Sequence, residues 1–204
     1  MLFRSSQNNE EQVILNYFSN QKGIFLDIGA NDGITLSNVR ALAEKGWEGV
    51  MIEPSKIAYD RCVENYKNFF HVLIDNCAIG TYTGRSKFYE SGEHLGNGDY
   101  SLLSSVIEDE TKRWTKETFI QTEVNIFNWA DFKLLHRFRV YDFITIDAEG
   151  MDYEILSQIN LKTTKTKMVC VEHNGNEIEK YSNYCSKFGM TVKLINHENI
   201  IMAL

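Results

Sequence analysis

Along the chain, short runs of consecutive apolar, β-branched residues alternate with longer stretches in which apolar residues recur every three or four positions. That is the signature of an α/β domain with a mainly parallel sheet. Residues 9–20 place Val13, Ile14, Tyr17 and Phe18 on one helical face, and IFLDI at 24–28 reads as the first strand. A helix follows over 34–45, closed by Gly46 at the C-terminal cap position, then a strand over 49–53. Ser55 is placed as N-cap of a helix over 55–67, and a strand follows over 70–75. Regular winding resumes with helix 128–137, strand 142–147, helix 150–159, strand 167–172 and helix 176–188. Residues 190–203 end the chain differently, as two strands joined by a tight turn at 196–199. The expected sheet has about seven strands, five in parallel succession and two forming an antiparallel hairpin.

Residues 80–128 break the alternation, with the Gly-, Ser- and Asn-rich run GEHLGNGDYSLLSS and possible strands at 85–90 and 119–126. A long insertion in a compact domain is commonly a lid or a substrate-binding segment. The remaining composition, 204 residues with 43% hydrophobic and 24% charged, suits a single domain able to bury a core. One proline, Pro54, leaves no Pro-rich linker. No window approaches the ~18 consecutive apolar residues of a membrane span, and the polar start MLFRSSQNNEEQ does not build a signal-peptide core, so the expected location is cytoplasmic. The widely spaced Cys62, Cys77, Cys170 and Cys185 suggest reduced thiols filling the core rather than zinc ligands or disulfides. A net charge of -7 disfavours nucleic acid as a partner, and Lys162, Lys165 and Lys167 read as solvating a turn.

The most informative stretch is FLDIGANDG at 25–33. Gly29 and Gly33 flank a strand-to-helix turn where a ligand can approach the backbone. A dinucleotide fingerprint requires GxGxxG, but here Asn31 holds the middle position with Asp32 beside it, and Asp27 ends the strand. These residues repel a pyrophosphate and suit an ammonium group. Glu53 lies 26 residues after Asp27 at the end of the second strand, where an acid accepts hydrogen bonds from a ribose diol. A ribose without pyrophosphate, joined to an amino acid and a sulfonium, describes S-adenosylmethionine. Asp75 or Asn76 is placed to meet the adenine amino group, and Cys77 or Ala78 to line its face.

With SQNNEEQVILNYF at 6–18, the FLDIGANDG loop, Glu53, the CAIG turn at 77–80 and above all DFITIDAEGMDYEIL at 142–156, the sequence resembles the FkbM-type S-adenosylmethionine-dependent methyltransferases. The resemblance implies the class I methyltransferase fold, a Rossmann-like doubly wound sheet of about seven strands with the last antiparallel. It also implies methyl transfer to oxygen, usually on glycan hydroxyls or polyketide-type products. Carried over, Asp27, Gly29, Asn31 and Gly33 form the donor loop, Glu53 the ribose contact, and Asp147 with Glu149 an acidic pair after the fourth strand. The insertion around 91–128 follows no family pattern, so the acceptor stays open.

Ligands of open α/β sheets sit beyond the carboxyl ends of the strands, which places Asp27, Glu53, Asp147, Glu172, His173 and Asn174 around one crevice. Capping of the following helices is the competing use of such acids, above all for Glu149 and Asp152. A hydroxyl acceptor needs a base, and Asp147 and His173 are the candidates. Asn174 is placed to orient the acceptor, and Glu172 to hold His173 or a metal. A divalent cation held by Asp147, Glu149 and Glu172 is compatible with the sequence but not required by it. His71, His94, His136 and His197 read as solvated loop residues, although Tyr89, His94, Tyr100 and Trp114 are also placed either to stack on a sugar ring or to form a small core under the insertion. An Asp/Asn-Pro-Pro-aromatic motif and a Pro-Cys nucleophile are both missing, which argues against nucleobase methylation. The leading expectation is O-methylation of a sugar or glycan hydroxyl. A non-catalytic S-adenosylmethionine-binding module and an NAD(P)-dependent oxidoreductase are the alternatives.

Overall fold

The structure, a computed structural model, describes residues 8–96, 98–136, 140–173, 175 and 178–204. In chain order its elements are α1 (Glu10–Phe18), β1 (Ile24–Ile28), α2 (Arg40–Glu44), β2 (Glu48–Ile52), α3 (Lys56–Asn65) and β3 (Val72–Asp75). The insertion contributes β4 (Ala78–Gly80), β5 (Gly84–Ser91), the short α4 (Glu108–Thr111) and β6 (Phe119–Asn128). The chain then continues through α5 (Trp129–Leu135), β7 (Phe143–Ile146), α6 (Asp152–Gln158), β8 (Met168–Glu172), α7 (Ile178–Ser186), β9 (Thr191–Ile195) and β10 (Asn199–Ala203). Asn174, Arg137 and the first two residues of the helix expected over 176–188 lie outside the described residues.

Seven strands form the main sheet in the order β3-β2-β1-β7-β8-β10-β9. The first five are parallel, and β10 enters antiparallel between β8 and β9. Every residue of β7, β8 and β10 is buried, so these strands read as near-continuous apolar runs rather than alternating ones, broken only by Thr145 and by Glu172 and Asn199 at strand ends, as a sheet covered on both faces demands. Residues two apart along a strand share a face. Leu26, Ile28, Ile144, Ile146, Val169 and Val171 pack with Trp129, Phe132, Ile155 and Leu156 from α5 and α6. Phe25, Met51, Phe143, Met168 and Cys170 pack with Ile14, Phe18, Leu42 and Cys62 from α1, α2 and α3.

Three local features depart from the sequence reading. The helix expected over 34–45 is only Arg40–Glu44. Asp32 Oδ1 accepts the amides of Ile34 and Thr35, and Ser37 Oγ accepts those of Val39 and Arg40, so side chains hold residues that would otherwise wind into helix. The CAIG turn contains a strand, β4, and the insertion is a separate three-stranded sheet in the order β4-β6-β5. The closing hairpin forms where expected. Asn196 Oδ1 accepts the amides of Glu198 and Asn199, and Asn196 N–H donates to Asn199 O at 3.0 Å. All four cysteines are buried free thiols. Among the described residues, no helix is long and apolar enough to cross a membrane.

Candidate active site

The carboxyl ends of β1, β2, β7 and β8 deliver Asp27, Glu53, Asp147 and Glu172 to the wall of one cavity of about 220 Å³. Gly29 makes this convergence possible. It adopts φ +88, and a Cβ there would lie 1.7 Å from the backbone oxygen of Asp147, so only glycine allows the loops after β1 and β7 to touch. Gly29 and Ala30 donate to Ile52 O, and Asp147 N–H donates to Ile28 O, fixing the three strand ends together.

Glu53 organises the glycine loop. One of its carboxylate oxygens accepts the Asn31 amide at 2.8 Å and the other the Ser55 amide at 2.7 Å. A carboxylate offers about four lone-pair sites, so each oxygen retains acceptor capacity. Burial pushes Glu53 up to about 8, against the opposing pull of those two amides, and neighbouring Asp27 and Glu90 add to the rise. Burial and the nearby Asp147 push Asp27 up to about 7. Asp147 rises to about 6 because it is hemmed in by protein, while contact with Glu172 holds it down, even though its surface opens to the cavity. Asp152 rises to about 7 through burial, followed by Asp147, although it accepts the amides of Ala148 and Gly150 and so ties the loop ahead of α6.

Of the residues singled out in the sequence, Asp27, Gly29, Asn31, Glu53, Asp147, Glu149 and Glu172 are brought together on the cavity wall. Gly33, Asn76, Cys77 and His173 lie off it. Gly33 backs onto α3, where a Cβ would come within 2.5 Å of the Tyr66 ring. Asn76 donates to the backbone oxygens of Glu53 and Pro54, and Cys77 lies in the core. His173 is only 3% exposed; its Nδ1 accepts the Gly175 amide at 2.9 Å, its backbone N–H donates to Glu198 O at 2.7 Å, and burial holds its ring below the usual histidine range. Asp32 turns its carboxylate back onto its own loop, accepting from Ile34, Thr35 N and Thr35 Oγ1 rather than facing the cavity.

The insertion lines the cavity with Phe88, His94, Leu95, Leu103 and Trp114. His94 Nδ1 lies 3.0 Å from Glu117 Oε1, and its ring meets Trp114 edge-on. Tyr89 and Tyr100 point elsewhere, to Glu108 and beneath the Arg61 guanidinium. Asn31 Nδ2 donates to Tyr100 O and Ser105 Oγ to Glu149 O, tying the insertion to both acidic loops. Thr35, Asn38, Thr145 and Glu198 also line the cavity. None of them stood out in the sequence. Asn38, in the loop before α2, donates to Thr145 Oγ1 on β7 at 3.2 Å, a contact far apart in sequence, and Glu198 arrives from the hairpin turn.

A methyltransferase FkbM domain model matches residues 27–199. No curated protein sequence matches the chain. Among solved structures, methyltransferase FkbM from Methylobacillus flagellatus superimposes with a TM-score of 0.60 at 13% identity over 90% of this chain and 44% of that one. The chain therefore spans less than half of that relative's length. Ribosomal protein L11 methylase from Lactobacillus delbrueckii subsp. bulgaricus gives a TM-score of 0.52 at 9% identity, covering 95% of this chain and 75% of that one. An O-methyltransferase from Bacillus cereus, solved in complex with SAH, gives 0.51 at 12% identity, covering 98% and 81%. These likenesses show the fold, the seven-stranded and mostly parallel sheet of class I methyltransferases with its antiparallel closing hairpin. The match that begins at Asp27 and runs to Asn199 shows more: the chain belongs to the methyltransferase FkbM domain family.

Proposed function

We propose that the protein transfers a methyl group from S-adenosylmethionine to a hydroxyl group, with a sugar or glycan hydroxyl as the acceptor and the insertion as a lid over it. The observation that carries this reading is the pair Asp27 and Glu53, buried at adjacent strand ends around a loop that only Gly29 can close. When bound, S-adenosylmethionine supplies a methyl group on a sulfonium that departs as a neutral thioether. Asp27 is assigned to the donor's ammonium. Glu53 takes the ribose hydroxyls on the lone pairs its two amide bonds leave open. Gly29 and Asn31 form the wall between them, and Ala78 and Ile79 offer an apolar surface beside Glu53 for the adenine.

In-line displacement requires an aligned acceptor oxygen and somewhere for its proton to go. As the acceptor oxygen bonds to the methyl carbon, the carbon–sulfur electron pair leaves with sulfur and the hydroxyl proton passes to a base. Asp147 fits that role because it opens to the cavity and titrates at about 6, close to neutral. His173 is a positioning residue, joining the end of β8 to the turn that carries Glu198. His94 and Trp114 exclude water from above and give a sugar ring an aromatic face. Calorimetry with S-adenosylmethionine and its demethylated product tests the donor site: Asp27→Ala and Glu53→Ala are each expected to weaken binding by about tenfold or more. Undiminished binding in both variants would reject the site. Methyl transfer to glycan acceptors by wild type but not by Asp147→Asn would support the base assignment, and full activity in that variant would end it.

A further inference from the structure

The donor site uses two of the buried acids, and the base role of Asp147 leaves Glu149 and Glu172 beside it unexplained. Asp147, Glu149 and Glu172 each present a carboxylate oxygen within 4.8 Å of the other two. Glu149 and Glu172 are only 7% and 8% exposed, and the Oε2 atom of each is buried without a hydrogen-bond partner among the described residues. Arg113 is near enough for its charge to reach both, but its guanidinium is bonded to Glu110 at 2.6 Å. One rim arginine already paired with another acid does not neutralise three crowded carboxylates. Buried charges of one sign persist only with a counter-charge or a proton.

We propose that Asp147, Glu149 and Glu172 hold a hard divalent cation of the Mg²⁺ or Mn²⁺ kind, and that its open positions take the acceptor hydroxyl together with a neighbouring oxygen, as in a vicinal diol. The donor set is all oxygen, with no thiol or imidazole among the three, which is the chemistry of Mg²⁺, Mn²⁺ and Ca²⁺ rather than of zinc or copper. Size agrees: oxygens on opposite sides of an ion bound at about 2.0–2.6 Å lie about 4–5 Å apart, and the three present here fall within that span. Two strand ends and a tied loop hold the set. Asp147 follows β7, and Glu172 is the last residue of the adjacent β8. Glu149 sits at φ +43, with its backbone oxygen accepting from Ser105 Oγ at 2.7 Å and Asp152 gripping the amides on either side. Asp147 opens into the cavity, so an ion here faces the space where the acceptor lies. Such an ion would orient the hydroxyl and lower its pKa; Asp147 would give it one carboxylate oxygen and keep the other for the hydroxyl proton, so ligand and base are the two oxygens of one carboxylate. The acceptor half of this inference rests on the proposed methyl transfer; the ion site does not.

Mn²⁺ titration of the full chain, read as the loss of the free-ion electron paramagnetic resonance signal, tests the site with and without S-adenosylhomocysteine. One saturable site per chain at or below about 1 mM is expected, displaced by Mg²⁺. Glu172→Gln and Glu149→Gln should each weaken it about tenfold or more with unchanged circular dichroism. If one variant fails to fold, the other decides. No Mn²⁺ uptake by a protein that binds S-adenosylhomocysteine would overturn the ion site and leave the donor reading intact. Unchanged affinity in the folded variants would also overturn the ion site. Mn²⁺ uptake without any binding of the demethylated cofactor would support the ion site and remove the donor.

Discussion

Gly29 and the acids beside it show how single residues set the chemistry. Gly29→Ala forces a Cβ onto the backbone oxygen of Asp147, which no side-chain rotation relieves, and leaves a non-glycine residue at φ +88. Such a clash is expected to cost about 3 kcal/mol or more, measurable by urea unfolding; a loss below about 1 kcal/mol would mean the β1 and β7 loops are not in contact. Asp27 and Glu53 titrate at about 7 and 8 in the fold, against ordinary values of about 3.9 and 4.3. Between those limits the folded, ligand-free chain keeps protons that the unfolded chain has released. Their contribution therefore favours folding at the acid end of the window, falls as pH rises from about 4 to about 8, and is level above it. Scanning calorimetry of the ligand-free protein is expected to show a lower melting temperature at pH 8 than at pH 5.5. A donor with an ammonium group prefers the ionised carboxylates, so its binding should release protons and tighten as pH rises through the same range. Calorimetry in two buffers of different ionisation heat checks this; equal heats in both would contradict it.

At the scale of elements, the sequence was legible wherever burial was two-sided. The strands FITI, MVCVE and NIIMA are buried throughout and mostly apolar because helices cover both faces of the sheet, and no helical period competes with them. Ser55 was equally plain. It caps α3 by accepting the Ala58 amide, and its hydroxyl also donates to Glu90 on β5. Ser55→Ala is expected to cost about 1 kcal/mol through the cap alone, read from thermal unfolding. Elements shaped by side chains answering backbone were not legible: α2 loses its first turns to Asp32 and Ser37, and β4 exists because Ala78–Gly80 pairs with residues 126–128, almost fifty positions away. Local propensity carries no trace of that pairing.

Across the whole molecule, the candidate site was half visible. Acids at strand ends could be found because parallel winding sends every such end to one rim, which is how Asp27, Glu53, Asp147 and Glu172 come together. Gly33, Cys77 and Asn76 looked alike in sequence but serve packing and the backbone, a distinction made only by which way each side chain turns. The insertion's side of the cavity was partly visible: of the four stacking candidates Tyr89, His94, Tyr100 and Trp114, only His94 and Trp114 line the cavity, and Leu103 beside them was not singled out. If the insertion is a lid, its residues 93–96 and 98–106 should exchange their amide hydrogens more slowly once the demethylated cofactor is bound, and an unchanged exchange map would leave them a fixed wall. The acidic rim is what selects a sulfonium nucleoside over a dinucleotide in this reading of the site. A paired calorimetric titration with S-adenosylhomocysteine and NAD⁺ is the most direct test. One-to-one saturable binding of the sulfur nucleoside with no heat from the dinucleotide is the expected result, and the reverse preference would contradict it.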